Sequence, residues 1–138
     1  MRVLVDSSVW LAHFHKTEAQ LVRLLMDEEV LTHPFVVGEI ALADLLGDQI
    51  ITSLLNSLQM GFVATHAEVM QLIELRQLKG RALGYVHAHL LASALLTPGA
   101  TLWTRDPTLL RVVKDLGLEP PLDGLRFLQE GAEGYRQA

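Results

Sequence analysis

The sequence predicts a three-layer α/β fold in which a parallel sheet of four to five strands is flanked by helices. Short apolar segments alternate along the chain with longer segments of helical spacing, which is typical of strands joined by helices. Half of the 138 residues are hydrophobic and one fifth are charged, a balance that supports a folded core. We expect one domain over residues 1–138, its last ~15 residues forming a flexible tail.

Short runs of mostly apolar or β-branched residues predict the strands. They span residues 3–5, 30–32 and 101–104, with a last short strand through Leu118. Residues 62–64 are expected to form either a third strand or an extended segment. Because each is separated from the next by a helical segment, the strands are expected to pair in parallel.

Apolar spacing and capping residues predict the helices between these strands. Ser7 and Ser8 are candidate caps of the first helix, Thr65 is a candidate cap of a later one, and Asp106 with Pro107 has the sequence of a helix start. A turn is expected at Gly47 and Asp48. The predicted helices lie at residues 9–11, 21–28, 35–46, 51–58, 65–79, 87–96, 106–116 and 125–128.

Charge and composition exclude several functional classes. A formal net charge of -5 argues against a protein that coats nucleic acid through its phosphates. The chain has no cysteine, so disulfides and thiolate metal sites are excluded. No apolar run reaches the roughly 18 residues that a membrane span needs, and the apolar segment at residues 3–5 is too short for a signal peptide. We therefore expect a cytoplasmic protein without a membrane partner.

Two carboxylates follow predicted strands directly. Asp6 comes after the first strand, and Asp106 comes shortly after the strand at residues 101–104. Functional sites in parallel sheets lie beyond the carboxyl ends of the strands, so these two acids are expected at one edge. Hard cations such as Mg²⁺ and Mn²⁺ prefer carboxylate oxygens, and a bound cation offsets the repulsion between clustered acids.

Each candidate acid also has a purely structural interpretation. Asp106 before Pro107 can be an N-cap, and Asp6 can start a turn with Ser7 and Ser8. Glu39 lies in a predicted helix, where a glutamate usually faces solvent. Capping and metal binding are compatible, because a carboxylate held at a helix start is well positioned as a ligand. Spacing alone does not decide whether the three acids meet.

Four segments of the chain, in order, resemble the motifs of the PIN-domain family, and most closely its VapC toxin branch. The first is the run of residues 3–10 around Asp6, and the second leads from His33-Pro34 to Glu39-Ile40. The third covers residues 84–94, and the fourth is Leu102-Trp103-Thr104-Arg105-Asp106. The resemblance covers roughly the first 118 residues. Any one of these motifs is unspecific, but their ordered set indicates the family.

The resemblance implies a PIN-like fold and an endoribonuclease toxin that hydrolyses RNA phosphodiester bonds with Mg²⁺ or Mn²⁺. By position it implies metal ligation by Asp6, Glu39 and Asp106. It also implies that the Ser8 and Thr104 hydroxyls brace the carboxylates or the substrate phosphate. Beside this motif, Arg105 can contact a phosphate or pair with a neighbouring acid.

His87 departs from the family pattern, because VapC sequences usually carry aspartate there. Without the family, a single histidine at a helix start is more often a packing or surface residue than a ligand. Within the family pattern it should face the metal cleft, where it can ligate a softer metal or act as a general acid or base. We expect weakened activity instead, because the substitution removes a charge and a bidentate ligand from a magnesium site.

The resemblance also implies partners: a VapB-like antitoxin, an RNA substrate and a second copy in a homodimer. Because of His87, the alternative function is a catalytically degenerate PIN domain that binds antitoxin and dimerises without cleaving RNA. A phospho-acceptor or phosphatase domain with Asp6 as nucleophile is a further alternative. A phosphatase of that kind needs a second aspartate two residues later, where this chain has Ser8.

Overall fold

A four-stranded parallel sheet forms the centre of the molecule. The computed structural model describes residues 1–44 and 49–122 of the chain. The strands are β1 (Arg2–Val5), β2 (Val30–Thr32), β3 (Gln59–Met60) and β4 (Ala100–Trp103). Their order across the sheet is β3-β2-β1-β4, and every neighbouring pair is parallel. The predicted α/β class and parallel sheet are therefore confirmed, with four strands in the described residues.

Seven helices of the described residues surround this sheet. They are α1 (Ser7–His15), α2 (Ala19–Met26), α3 (Pro34–Ala43), α4 (Gln49–Ser57), α5 (His66–Leu75), α6 (Tyr85–Leu96) and α7 (Pro107–Asp115). The chain moves across the sheet from β1 to β3 and then returns to β4. Because parallel crossovers are right-handed, this reversal places α1 to α4 on one face and α5 and α6 on the other. The arrangement is consistent with the predicted three-layer fold.

The core forms where β1 is covered on both faces. Val3, Leu4 and Val5 are completely buried, as expected for an interior strand of a parallel sheet. Trp10 packs from α1, and Leu90 and Leu91 pack from α6, all of them buried. Seven consecutive residues of α6, from 88 to 94, are buried, so the middle of this helix is enclosed on all sides. None of the helices in the described ranges has the length and hydropathy to cross a membrane.

Two candidate strands of the sequence do not form. Residues 62–64, expected as a strand or an extended segment, do not form a strand. The third strand is Gln59–Met60, which pairs with β2 and ends two residues before residue 62. Leu118 is not in a strand either, although its carbonyl accepts a 2.9 Å hydrogen bond from the amide of Leu102. A strand of two residues has no hydrophobic periodicity from which it could be predicted, and one backbone bond does not make a ladder.

Helix boundaries also differ in places from those predicted. Ser7 and Ser8 lie inside α1, and the N-cap is Asp6, without a side-chain capping bond. Helix α5 ends at Leu75, and α6 begins at Tyr85, two residues before the predicted start. Thr65 is confirmed as a cap, because it and Glu68 form a reciprocal capping box. The predicted end of the third helix at residues 45–46, the turn at residues 47–48, the helix at 125–128 and the tail lie outside the described residues.

Candidate functional site

Asp6 lies at the carboxyl end of the central strand. Its amide donates a 3.0 Å hydrogen bond to the carbonyl of Trp103, so the pairing of β1 with β4 continues as far as Asp6. The residue is only 2% exposed, which is unusual for a carboxylate. The sheet register therefore holds Asp6 next to the residues that follow β4.

The two carboxylate oxygens of Asp6 differ in their surroundings. Oδ2 accepts hydrogen bonds from the hydroxyls of Ser8, at 2.6 Å, and Thr104, at 2.8 Å. The same two hydroxyls lie 3.3 Å from each other. Oδ1 is buried and has no hydrogen-bond partner among the described residues. A buried carboxylate oxygen without a partner is costly, unless a cation or a donor from another molecule contacts it.

Thr104 connects Asp6 to the second carboxylate. Its Oγ1 donates to Asp6 and accepts a 3.0 Å bond from the amide of Asp106. Asp106 is the N-cap of α7, and its Oδ1 accepts a 2.9 Å bond from the amide of Leu109. The capping interpretation of Asp106 is thus confirmed, with Pro107 as the first helical residue. The cap fixes the carboxylate at the sheet edge where Asp6 lies.

Glu39 reaches this edge from α3. It is half-buried, and its Oε1 accepts a 2.8 Å hydrogen bond from the hydroxyl of Ser7. The interpretation of Glu39 as a solvent-facing side chain is therefore wrong. In the sequence, Ser7 is only a candidate helix cap. Its contact with Glu39 depends on the packing of α1 against α3, which local sequence does not reveal.

Arg105 and His87 lie outside the hydrogen-bonded network of side chains. The amide of Arg105 donates a 2.9 Å bond to the Ser8 hydroxyl, but its guanidinium extends outward, 4.0 Å from the Glu18 carboxylate. His87 is the third residue of α6 and is half-buried. Helix α6 runs towards the amino end of β4. Its first turn, which contains His87, therefore lies at the carboxyl ends of the strands, the edge of the sheet at which Asp6 lies.

The oxygen donors among the described residues suit a divalent cation, but they do not form a complete coordination sphere. Within residues 1–44 and 49–122, no three carboxylate or imidazole side chains lie close enough together to hold an ion. The fit rests on Asp6, whose Oδ2 is fixed by two hydroxyls while Oδ1 is buried without a partner. Oxygen donors of this kind suit Mg²⁺ or Mn²⁺ rather than a soft metal.

Comparison with known proteins assigns the chain to a family. It is similar to Ribonuclease VapC32 in two strains of Mycobacterium tuberculosis, with 43% identity over 116 residues in each. The match covers 84% of this chain and 94% of each relative. No protein-family model and no solved structure matches the chain. At this identity and coverage the relationship is unambiguous: the chain belongs to the VapC-type ribonuclease family, as the PIN-domain motifs predict.

Proposed function

We propose that this chain is a Mg²⁺- or Mn²⁺-dependent endoribonuclease toxin that hydrolyses RNA phosphodiester bonds. The observation that carries the proposal is the buried Asp6 carboxylate, which is fixed through one oxygen and, among residues 1–44 and 49–122, has no partner at the other. The relationship to ribonucleases supports RNA as the substrate. Asp6, Asp106 and Glu39 would hold the cation, which would supply a water of lowered pKa and stabilise charge on the phosphate.

The residues around Asp6 have a positioning role in this proposal. Ser8 and Thr104 donate to the same carboxylate oxygen, so they leave the other oxygen to face a ligand. Thr104 also accepts from the Asp106 amide, so one hydroxyl sets the relative position of two acids. The Ser7 hydroxyl donates to Glu39 and so restrains the position of that carboxylate. Bringing Glu39 to a cation together with the aspartates requires its side chain to move, because no three acids of the described residues are close enough together to share an ion.

His87 weakens the proposed activity. It replaces the aspartate usual in the family, so the site has one carboxylate fewer with which to hold a hard cation. Its position in the first turn of α6 is at the sheet edge of the acids. We therefore propose slow turnover by this chain, with Mn²⁺ supporting it better than Mg²⁺, because imidazole is a better ligand for Mn²⁺.

The proposed protein partners are a VapB-like antitoxin and a second copy of the chain. An acidic cleft attracts a basic side chain, which is the means by which an antitoxin would block the site. Three exposed apolar side chains lie on the neighbouring helices α3 and α4: Leu42 near the end of α3, and Ile50 and Leu54 on α4. Exposed apolar groups of this kind mark protein contacts, and we assign them to the homodimer.

Cleavage of a labelled RNA tests the proposed activity. The unmodified chain should cut it in Mn²⁺ or Mg²⁺ and stop cutting when EDTA is added. Asp6→Ala should lower the rate more than about 100-fold, since even residues that only support metal ligands are worth 10–100-fold. Asp27→Ala is the matched control, because Asp27 is an exposed acid that follows α2, at the opposite sheet edge.

The outcomes separate the proposal from its alternative. Cleavage that survives Asp6→Ala would overturn the assigned site. Metal binding measured by titration calorimetry, without RNA turnover in any variant, would instead show a degenerate domain that acts through its partners. Loss of activity in Asp27→Ala to the same extent would mean that the assay reports folding rather than the site.

A further inference from the structure

Five aromatic or imidazole rings form a second group at the sheet edge of the acids. They come from three segments: the start of α3, the start of α5 and the start of α6. We call them the ring cluster: His33, Phe35, His66, Tyr85 and His89. The candidate metal site uses none of these side chains.

The rings form a continuous series of contacts centred on His89. Its centroid lies 4.6 Å from those of both Phe35 and Tyr85, with edge-on geometry in each case. His33 lies 5.1 Å from Phe35, again edge-on. His66 lies 5.6 Å from Tyr85, and its Nδ1 is 2.5 Å from the Tyr85 hydroxyl. Edge-to-face contacts at these distances hold the rings in fixed orientations.

The ring cluster has a buried base and an exposed outer part. His33 and His89 are buried, whereas Phe35 is 37% exposed and Tyr85 is 45% exposed. His66 is exposed as well. The inner histidines therefore fix the outer rings, and the outer rings leave part of their surface open to a ligand.

Burial disfavours the charged form of both inner histidines. Burial, with a smaller effect of His89, lowers the pKa of His33 to about 4. Burial, with a smaller effect of His66, also lowers the pKa of His89. Nearby cations do not make the region a phosphate site, since Lys79 pairs with Glu74 and Arg81 with Asp115. The outer part of the ring cluster therefore offers flat ring faces to a ligand.

The ring cluster adjoins the candidate metal site along the sheet. The two aspartates follow β1 and β4, while the rings follow β2 and β3 or begin α6. Phe35 and Glu39 are four residues apart on α3, so they share a helix face. Neighbouring strands are about 4.8 Å apart, which puts the rings on the order of 10 Å from the acids. A few nucleotides of single-stranded RNA span that distance.

We infer that the exposed rings of Phe35, Tyr85 and His66 stack on unpaired RNA bases next to the cleavage point. The inference rests on the proposed ribonuclease function. A chain with a net charge of -5 gains little from phosphate attraction, so base stacking is the better available source of RNA affinity. Every base has an aromatic face, so such a surface selects unpaired bases without reading a particular sequence.

Binding to short RNA tests the inference without requiring cleavage. The probe is a fluorescently labelled oligoadenylate of about ten nucleotides, a length comparable to known single-strand sites, measured by anisotropy in Ca²⁺. Tyr85→Leu and Phe35→Leu should each weaken binding about 5-fold or more, the lower end of what one stacked base contributes. Tyr85→Phe keeps the ring, so its affinity for oligoadenylate should stay within about twofold of that of the unmodified chain.

Leu96→Ala is the matched control on the same helix. Leu96 is 44% exposed, like Tyr85, but lies at the opposite end of α6, so its change should leave RNA affinity within about twofold. A decamer of the same backbone without bases should bind the Tyr85→Leu variant and the unmodified chain equally. Melting temperatures of all variants show whether any has lost its fold.

Two results would overturn the inference. One is equal oligoadenylate affinity of folded Tyr85→Leu and the unmodified chain, which would leave the rings as a packing or protein-docking surface. The other is that Tyr85→Leu weakens binding of the decamer without bases as much as it weakens binding of oligoadenylate. Failure of the proposed function would appear elsewhere, as absent cleavage of the same RNA in Mn²⁺ or cleavage that survives Asp6→Ala.

Discussion

The two oxygens of the Asp6 carboxylate show how single atoms determine the chemistry of this site. One oxygen accepts two hydroxyl hydrogen bonds, while the other is buried and has no partner in the part of the chain that the structure describes. The hydroxyls add no charge, so they orient the carboxylate without neutralising it. A cation would supply the missing contact and balance the charge in one step.

Substitution of His87 by aspartate tests whether this position limits the activity. His87→Asp should raise Mg²⁺-dependent RNA cleavage by about tenfold or more, because each added 1.4 kcal/mol of metal or transition-state binding is worth a factor of ten. Initial rates over a Mg²⁺ titration measure the effect. His87→Asn is the control, since it offers oxygen without charge and should give a smaller gain. Equal rates for all three chains would show that the position is unimportant.

His33 predicts a pH dependence of folding stability. Its folded-state pKa is about 4, below the ordinary value of 6.5, mainly because burial disfavours the charged ring. The unfolded chain therefore binds the proton more readily, and stability that is complete above pH 6.5 is lost as the pH falls towards 4. At about 1.4 kcal/mol per pKa unit, the loss reaches on the order of 3 kcal/mol.

Urea denaturation at pH 7 and pH 5 measures this loss. His33→Asn should flatten the dependence, because asparagine can replace the ring nitrogen that accepts the Phe35 amide at 3.0 Å. His89 retains its own lowered pKa, so some dependence should remain in the variant. An unmodified chain equally stable at both pH values would contradict the prediction.

At the level of elements, the close approach of the segment after β3 to α6 constrains the fold. A Cβ atom added to Gly61 would lie 2.5 Å from the Oγ of Ser93, which is itself completely buried on α6. The Gly61 amide also donates a 2.8 Å bond to the carbonyl of Thr32, so the backbone is held in place. Only a residue without a side chain fits between the strand edge and the helix.

Gly61→Ala should therefore destabilise the protein by about 1–3 kcal/mol, the usual cost of overpacking. Chemical denaturation at pH 7 measures the change. Gly38→Ala is a suitable control, because an added Cβ there meets no atom within 4 Å and the position is helical. If the clash causes the loss, Ser93→Ala in the Gly61→Ala background should recover part of it.

The elements also show which features the sequence could predict. Strand β1 was predictable because burial on both faces requires a continuous apolar run, and β4 because its mostly apolar residues include the buried Ala100 and Leu102. The carboxylates that follow these two strands were predictable from the geometry of parallel sheets. Strand β3 consists of two exposed residues, Gln59 and Met60, and carries no such pattern. Contacts such as Ser7 with Glu39, and the ring cluster, depend on how separate helices pack, which local spacing does not encode.

For the whole molecule, a bound cation should raise global stability. Mn²⁺ at about 100 times its dissociation constant should add about 2.7 kcal/mol to the free energy of unfolding. The resulting rise in melting temperature should disappear with EDTA and in Asp6→Asn, a variant of nearly unchanged shape. Differential scanning calorimetry measures both. The same rise in Asp6→Asn would place the cation away from Asp6.

The hydrogen bond from Thr104 to Asp6 joins residues 98 positions apart in the chain. The edge that carries Asp6 is therefore completed only after β4 has been synthesised and has paired with β1. A growing polypeptide on the ribosome carries Asp6 from the start, but it has no assembled site until nearly all of the described chain has emerged. At the proposed site, this order of assembly would delay RNA cleavage until β4 has been synthesised and has paired with β1.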